Sequence, residues 1–267
     1  MGALEELIKD GALDRAFPEI YHTKDVPLPW PEPDIPRPQK LYRHRGWAYT
    51  YSGVPMAMGY FRELQFMTEG TLVLKHNDKV WMSTSPMELE SHMPHIDAAH
   101  GRVLVGGLGM GMYLKNILAK PEVTEVVLYE KSMPVWQLFC TTMNPWAWEG
   151  WHKLTIRNWT LFREEPDDEP FDYAYIDIWE SLGCEHAVRL TKKACKVHKV
   201  RQVSWWGMEL DYTEWCMNTN RRADPQDPYA RLRAWSKEMK LPQITVGQHQ
   251  AEWFTRVWDV ARNVLRY

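Results

Sequence analysis

The chain has no apolar run approaching the roughly 20 residues that a membrane span requires. It also lacks an excess of charge of either sign. Its 32 Lys and Arg stand against 35 Asp and Glu, a net charge of −3 with a pI near 6.4. That balance argues against nucleic acid as a bulk electrostatic partner and leaves room only for a local basic patch. Cysteine is scarce. The four thiols, Cys140, Cys184, Cys195 and Cys216, show no C-x-x-C spacing, so no zinc site is predicted and the thiols are read as reduced. There is no internal repeat and no low-complexity segment. The opening stretch, MGALEELIKDGALDRAF, is amphipathic and acid-bearing, unlike an export signal, and Glu6 stands where a myristoylation site has Ser or Thr. These absences predict a cytoplasmic protein with no membrane attachment.

What is present reads as one generous core with a small appended domain. The 267 residues are 45% hydrophobic and 25% charged, within the ordinary globular range. Fifteen tryptophans predict a Trp-rich core, with some of the rings free to line a pocket for a flat ligand. Leu4, Leu7, Ile8 and Leu13 are spaced for a helix over 3–17. The Pro-rich arm VPLPWPEPDIPRPQ, 26–39, forbids helix and interior strand, so it is an extended strap lying on the protein's own surface or on a partner's. Partial alternation with turn signals at Ser52-Gly53, Glu69-Gly70 and Asn77-Asp78 predicts an antiparallel sheet of three or four strands over 41–83, and 86–98 reads as a helix. The arm and the tryptophans are compatible with a homodimer.

From Arg102 the pattern becomes strand–helix–strand. RVLVGG, EVVLYE, KLTIRNW, FDYAYIDIW and VRQVSWWGM are short strands, with helices between most of them, which predicts a parallel sheet covered on both faces. Two more helices are expected over 227–240 and 249–266. The fold class is therefore α/β and Rossmann-like. The predicted units are a helix and arm (1–40), a β domain with its linking helix (41–98), the Rossmann-like domain (99–220) and a helical extension (221–267).

The segment VLVGGLGMGMYLKNIL, 103–118, carries the functional reading. A buried strand runs into a turn in which Gly107, Gly109 and Gly111 form G-x-G-x-G, and then into a helix. Glycine allows the tight turn and removes Cβ atoms that would hold a ligand off the backbone. A nicotinamide dinucleotide prefers G-x-G-x-x-G, and the third glycine would fall on Met112, so that pattern fails. Glu130 ends the next strand, where a carboxylate can accept hydrogen bonds from both ribose hydroxyls. Asp177 ends the strand FDYAYID, placed next to the first, at the sheet edge where such folds bind ligands.

Together these parts resemble motif I and the acid-ended second strand of the class I S-adenosylmethionine-dependent methyltransferases. The order of β domain, helix with Glu88 and His92, VLVGGLGMG, VVLYE and FDYAYID is similar to the spermidine synthase family over roughly residues 70–200. The resemblance implies S-adenosylmethionine or its decarboxylated form as cofactor, with Gly107, Gly109, Gly111 and Glu130 holding it. It implies that His92 reaches the cofactor, that Asn158 takes the adenine amine and that Trp159 packs on the ring. Three departures bear on the reaction. The synthases carry an aspartate where this chain has Met110, a glutamine where it has Trp81 and a tyrosine where it has Ser91. Their D-S-S-D-P motif is here Asp177-Ile-Trp-Glu180-Ser, so Asp177 and Glu180 are the candidate catalytic residues. A polyamine site needs several paired carboxylates, and that set is not assembled here. The expectation is methyl transfer to a small-molecule acceptor in preference to nucleic acid. Aminopropyl transfer and a non-catalytic binding protein of the same fold are the alternatives. The cluster NPWAWEGW, 144–151, is read as a packed corner and the run REEPDDE, 163–169, as a solvated loop.

Overall fold

The computed structural model describes residues 28, 30–52, 56–61, 65–66, 70–163, 169–218, 228–244, 253–254, 257–258 and 260. The predicted helix 3–17, most of 249–266 and the middle of the acidic run lie outside the described residues.

Among the described residues, six strands form the main sheet. They are β7 (Gly101–Gly106), β8 (Val123–Tyr129), β9 (Leu154–Arg157), β10 (Phe171–Ile176), β11 (Val200–Trp205) and β12 (Gln243–Ile244), in the spatial order β12-β11-β10-β7-β8-β9, and every pairing is parallel. Near-continuous apolar runs produce this arrangement. Val103, Leu104, Val126, Leu128, Tyr173 and Ile176 are at most 0% exposed, as strands covered on both faces require. The chain winds outward from β7 to one edge, returns to β10 and winds to the other. With right-handed crossovers this puts helices on opposite faces and leaves a crevice between the carboxyl ends of β7 and β10. The connecting helices are α2 (Met112–Leu118), α3 (Met133–Met143), α4 (Ala187–Val197), α5 (Met208–Asn218) and α6 (Pro228–Met239). The tail therefore supplies a helix and also the edge strand β12, which pairs Gln202 with Gln243 and Val203 with Ile244.

The N-terminal sheet has four antiparallel strands, β1 (Arg43–His44), β2 (Trp47–Ser52), β5 (Thr71–His76) and β6 (Lys79–Ser83), in the order β1-β2-β5-β6. Asn77, at φ +56°, takes the left-handed conformation that its hairpin needs. Among the described residues of YFRELQFMTEG, expected as a strand, Gln65–Phe66 form β4, which pairs with β3 (Met56–Ala57) in a ladder of its own. Helix α1 (Pro86–Ala98) starts at a proline, whose missing N–H costs nothing at that position. It links the two sheets.

The Pro-rich strap lies on its own chain. Lys115 pairs with Asp34 at 2.5 Å, Asn116 exchanges hydrogen bonds with the Asp34 backbone, and the Gln39 N–H donates to the Thr142 carbonyl. Buried Trp30 anchors it, edge-on to Phe61 and Trp253. The NPWAWEGW region is a packed corner, with Trp151 stacked on Trp136 and Trp148 edge-on to Phe139. No helix among the described residues is long and apolar enough to cross a membrane.

Candidate functional site

Two strand ends meet at the crevice. The Asp177 N–H donates to the Gly106 carbonyl at 2.8 Å. Gly107, at φ +95°, sits so close to the opposite chain that a Cβ there would lie 1.8 Å from the Asp177 carbonyl oxygen. Only glycine fits, for conformation and for space. Gly109, at φ +53°, faces the N-terminal hairpin, where a Cβ would meet the Met82 sulfur at 2.5 Å. Gly111 is the N-cap of α2 in left-handed conformation, and a Cβ there would meet Phe139 at 2.4 Å. That glycine serves packing and does not line the crevice.

The crevice is a cleft that is partly open to solvent. Gly107, Leu108 and Gly109 form its floor, with Glu130, Lys131 and Ser132 beside them. Trp159 to Phe162 and Asp177, Ile178 and Trp179 also line it. Trp47, Trp81 and Met82 of the N-terminal sheet form the roof, so the cleft belongs to both sheets.

Glu130 is buried to 8% exposure at the end of β8. Its two carboxylate oxygens accept from the Leu108 N–H at 3.1 Å and the Ser132 N–H at 2.6 Å. Burial pushes its carboxyl above the ordinary value, against the pull of those two hydrogen bonds and of the Lys131 charge. Asn158 donates from Nδ2 to the Glu130 carbonyl at 2.8 Å, which leaves Oδ1 as its second polar atom. Trp159 lies on the cleft wall, and the Arg163 guanidinium stacks on its ring at 4.0 Å. Glu180 forms an ion pair with Lys79 of β6, a tie between the hairpin and the loop after β10. His92 is 0% exposed and lies behind Asp177, outside the cleft wall, with Nε2 3.6 Å from Asp177 Oδ2. The structure thus brings Gly107, Gly109, Glu130, Trp159 and Asp177 to one cleft. Asn158 and His92 stand one layer behind it, Gly111 is turned away, and Glu180 is held at its edge.

Met82 is a site residue that sequence reasoning missed. Its sulfur accepts from the Met110 N–H at 3.1 Å, so a side chain of the hairpin seals one amide of the Gly-rich turn. The signal was its adjacency to Trp81 in an alternating strand, but a methionine facing inward reads as core. Met110 itself is 1% exposed. Ser91 accepts from the Trp206 indole N–H at 2.9 Å and donates to the Glu88 carbonyl at 2.7 Å.

An adenosine-bearing cofactor fits the residues present. Two glycines of the turn line the cleft, a buried carboxylate stands at the second strand's end, and aromatic rings wall the cleft. No family model matches the chain, and no curated protein matches it. Among solved structures it is similar to the spermidine synthase of Thermotoga maritima, with 12% identity over 62% of this chain and 55% of that one, TM-score 0.39. A spermidine synthase bound to a transition-state analogue gives 14% identity, the same coverages and TM-score 0.37. A structure from Pyrococcus horikoshii assigned as an RNA methyltransferase gives 16% identity over 37% of this chain and 46% of that one, TM-score 0.28. The matched region spans about half the length of the synthase structures. On its own strand order and Gly-rich turn, the fold is Rossmann-like.

Proposed function

We propose that the protein is an S-adenosylmethionine-dependent transferase that methylates a small acceptor. Gly107 and Gly109 admit the nucleoside to the floor of the cleft. The Glu130 carboxylate accepts from the ribose hydroxyls with its remaining lone pairs. Trp159 packs on the adenine ring, and Asn158 holds the Glu130 carbonyl from behind the cleft wall. When bound, the cofactor supplies a methyl carbon made electrophilic by its sulfonium. The chain's own task is then to align the acceptor and exclude water. Asp177, lining the cleft with 21% of its side chain exposed, orients the acceptor and receives its proton.

The observation that carries methyl over aminopropyl transfer is the acid count of the wall. Glu130 and Asp177 are the only carboxylates lining the cleft among the described residues. Glu180 is neutralised by Lys79, and Met110 offers no charge. A diamine acceptor needs a carboxylate for every buried ammonium. Calorimetry of the protein with S-adenosylmethionine, its decarboxylated form and S-adenosylhomocysteine tests the reading. Binding of the first and third at least about tenfold tighter than the second is expected, a difference of about 1.4 kcal/mol. Preference for the decarboxylated form, with an aminopropylated product from putrescine, would move the protein to the polyamine synthases. Tight binding with no turnover of any acceptor would support a binding protein.

A further inference from the structure

His92 is buried in helix α1, and its two ring nitrogens face different partners. Nδ1 lies 2.7 Å from the Glu88 backbone carbonyl. A carbonyl only accepts, so Nδ1 carries a hydrogen in both charge states of the ring. In the neutral ring, Nε2 therefore turns a lone pair toward Asp177 Oδ2, 3.6 Å away, and it has no hydrogen-bond partner. A lone pair facing a carboxylate oxygen is repulsive unless a proton lies between them. The distance is longer than a hydrogen bond, but catalytic contacts in ligand-free sites often tighten only when the site fills.

Building on the proposed reaction, we propose that His92 is the proton store of Asp177, a positioning residue that takes the proton from the carboxylate during transfer, returns it through the partly exposed Asp177 when the product leaves, and does not touch the cofactor. The step is a plain proton transfer. The O–H bond on Asp177 breaks, an N–H bond forms on His92 Nε2, and a carboxylate and an imidazolium remain. It operates above the pH at which the resting ring is itself protonated, and only for an acceptor that brings an O–H or N–H proton on its nucleophilic atom.

The surroundings place the positive charge on His92. On its own helix stand Glu88 and His95. From β10 and the loop after it come Tyr175, its ring 5.8 Å away, and Asp177. The Trp206 ring packs at 6.5 Å, and Glu209 of α5 is near enough to feel the imidazolium. Burial, followed by the charge of His92, holds His95 well below the ordinary histidine value, so His95 stays neutral. Burial pushes the carboxyls of Glu88 and Glu209 up to about 7, so near neutrality neither is a full counter-charge. Burial pulls His92 down, but the Asp177 carboxylate and the Glu88 carbonyl outweigh it and leave the ring above its ordinary value.

The test is nitrogen-detected NMR titration of the histidines in the ligand-free protein, with His92 assigned by its loss in His92→Gln. We expect Nε2 to titrate while Nδ1 keeps its hydrogen. In Asp177→Asn the midpoint should fall by at least about one pH unit, a tenfold loss of proton affinity. Glu209→Gln should shift it by less. An unmoved midpoint in Asp177→Asn, or titration at Nδ1, would overturn the proposal. The second arm is calorimetry of His92→Gln with S-adenosylhomocysteine, where affinity within about twofold of the natural protein is expected, because the ring lies outside the cleft. A loss beyond tenfold would make His92 a cofactor contact and overturn the proposal. If the natural protein binds no S-adenosylhomocysteine, the proposed function fails while the titration still decides the role of His92.

Discussion

At the scale of single residues, Glu130 and Gly107 make separable demands. Glu130 holds two backbone amides of the site and, in the proposed reading, the ribose. Glu130→Ala is expected to weaken S-adenosylhomocysteine binding by about 1.5–3 kcal/mol, typical of hydrogen bonds to a charged group. Calorimetry reads this as a rise in Kd of roughly 10- to 150-fold, and an unchanged Kd would remove Glu130 from the site. Gly107 is a matter of space and backbone. Gly107→Ala puts a methyl group where the Asp177 carbonyl stands, on a residue at φ +95°. A loss of at least about 3 kcal/mol of stability is expected. A thermal melt should show a fall in Tm of roughly 10 °C, and a fall of less than 2 °C would mean that the turn yields more easily than its geometry implies. The sequence named both residues because a Gly-rich turn after an apolar strand and an acid ending the next strand are local patterns. It missed Met82, because an inward methionine looks alike whether it faces core or cleft.

At the scale of elements, the strap and the hairpin join helix α1 in tying the N-terminal part to the Rossmann-like sheet. Proline density made the strap legible as extended chain, but only packing chose between its own surface and a partner's. Trp30 is 5% exposed and meets Phe61 and Trp253 at ring distances of 6.2 and 6.5 Å. Trp30→Ala should cost about 3–5 kcal/mol at this anchor. Limited proteolysis is expected to cut within 30–39 much faster in the variant. Equal cutting rates would mean that the Asp34 contacts hold the strap alone. The hairpin β5–β6 places Trp81 and Met82 in the roof of the cleft and Lys79 against Glu180. Alternation predicted the strands of this sheet, but the segment around Gln65–Phe66 left it. A two-residue ladder has too little pattern to be separated from a longer strand by sequence.

At the scale of the whole molecule, buried acids set a dependence on pH. Glu209 is 0% exposed, its Oε1 accepts from the Tyr60 hydroxyl at 2.9 Å, and burial raises its carboxyl from 4.5 to about 7. Between those values the native carboxyl keeps its proton and the unfolded one has lost it. The native state then binds more protons, so stability falls as pH rises from about 4.5 through 7. The shift corresponds to on the order of 3 kcal/mol. His92, raised above its ordinary value, acts in the same direction, with its contribution lost as pH rises through its folded value. The protein is expected to melt at higher temperature at pH 5 than at pH 8. Glu209→Gln should flatten that difference by several degrees, measured by melts across the range. A melt that rises with pH in both proteins would contradict this account of the core.

The sequence by itself determined the parallel sheet, the Gly-rich turn with its carboxylate neighbour, and the absence of a long apolar span. Each of these is written in patterns a few residues wide, because strand burial and tight turns restrict residue type locally. Only the tertiary structure decided that Gly111 faces Phe139 and not the cleft, that His92 stands behind Asp177, and that Glu180 is tied to Lys79. It also decided that the cleft has a roof from the other sheet. Some of these contacts join residues more than a hundred positions apart. Nothing in the local chain constrains which face of α1 meets the end of β10, so the pairing exists only once both sheets have packed.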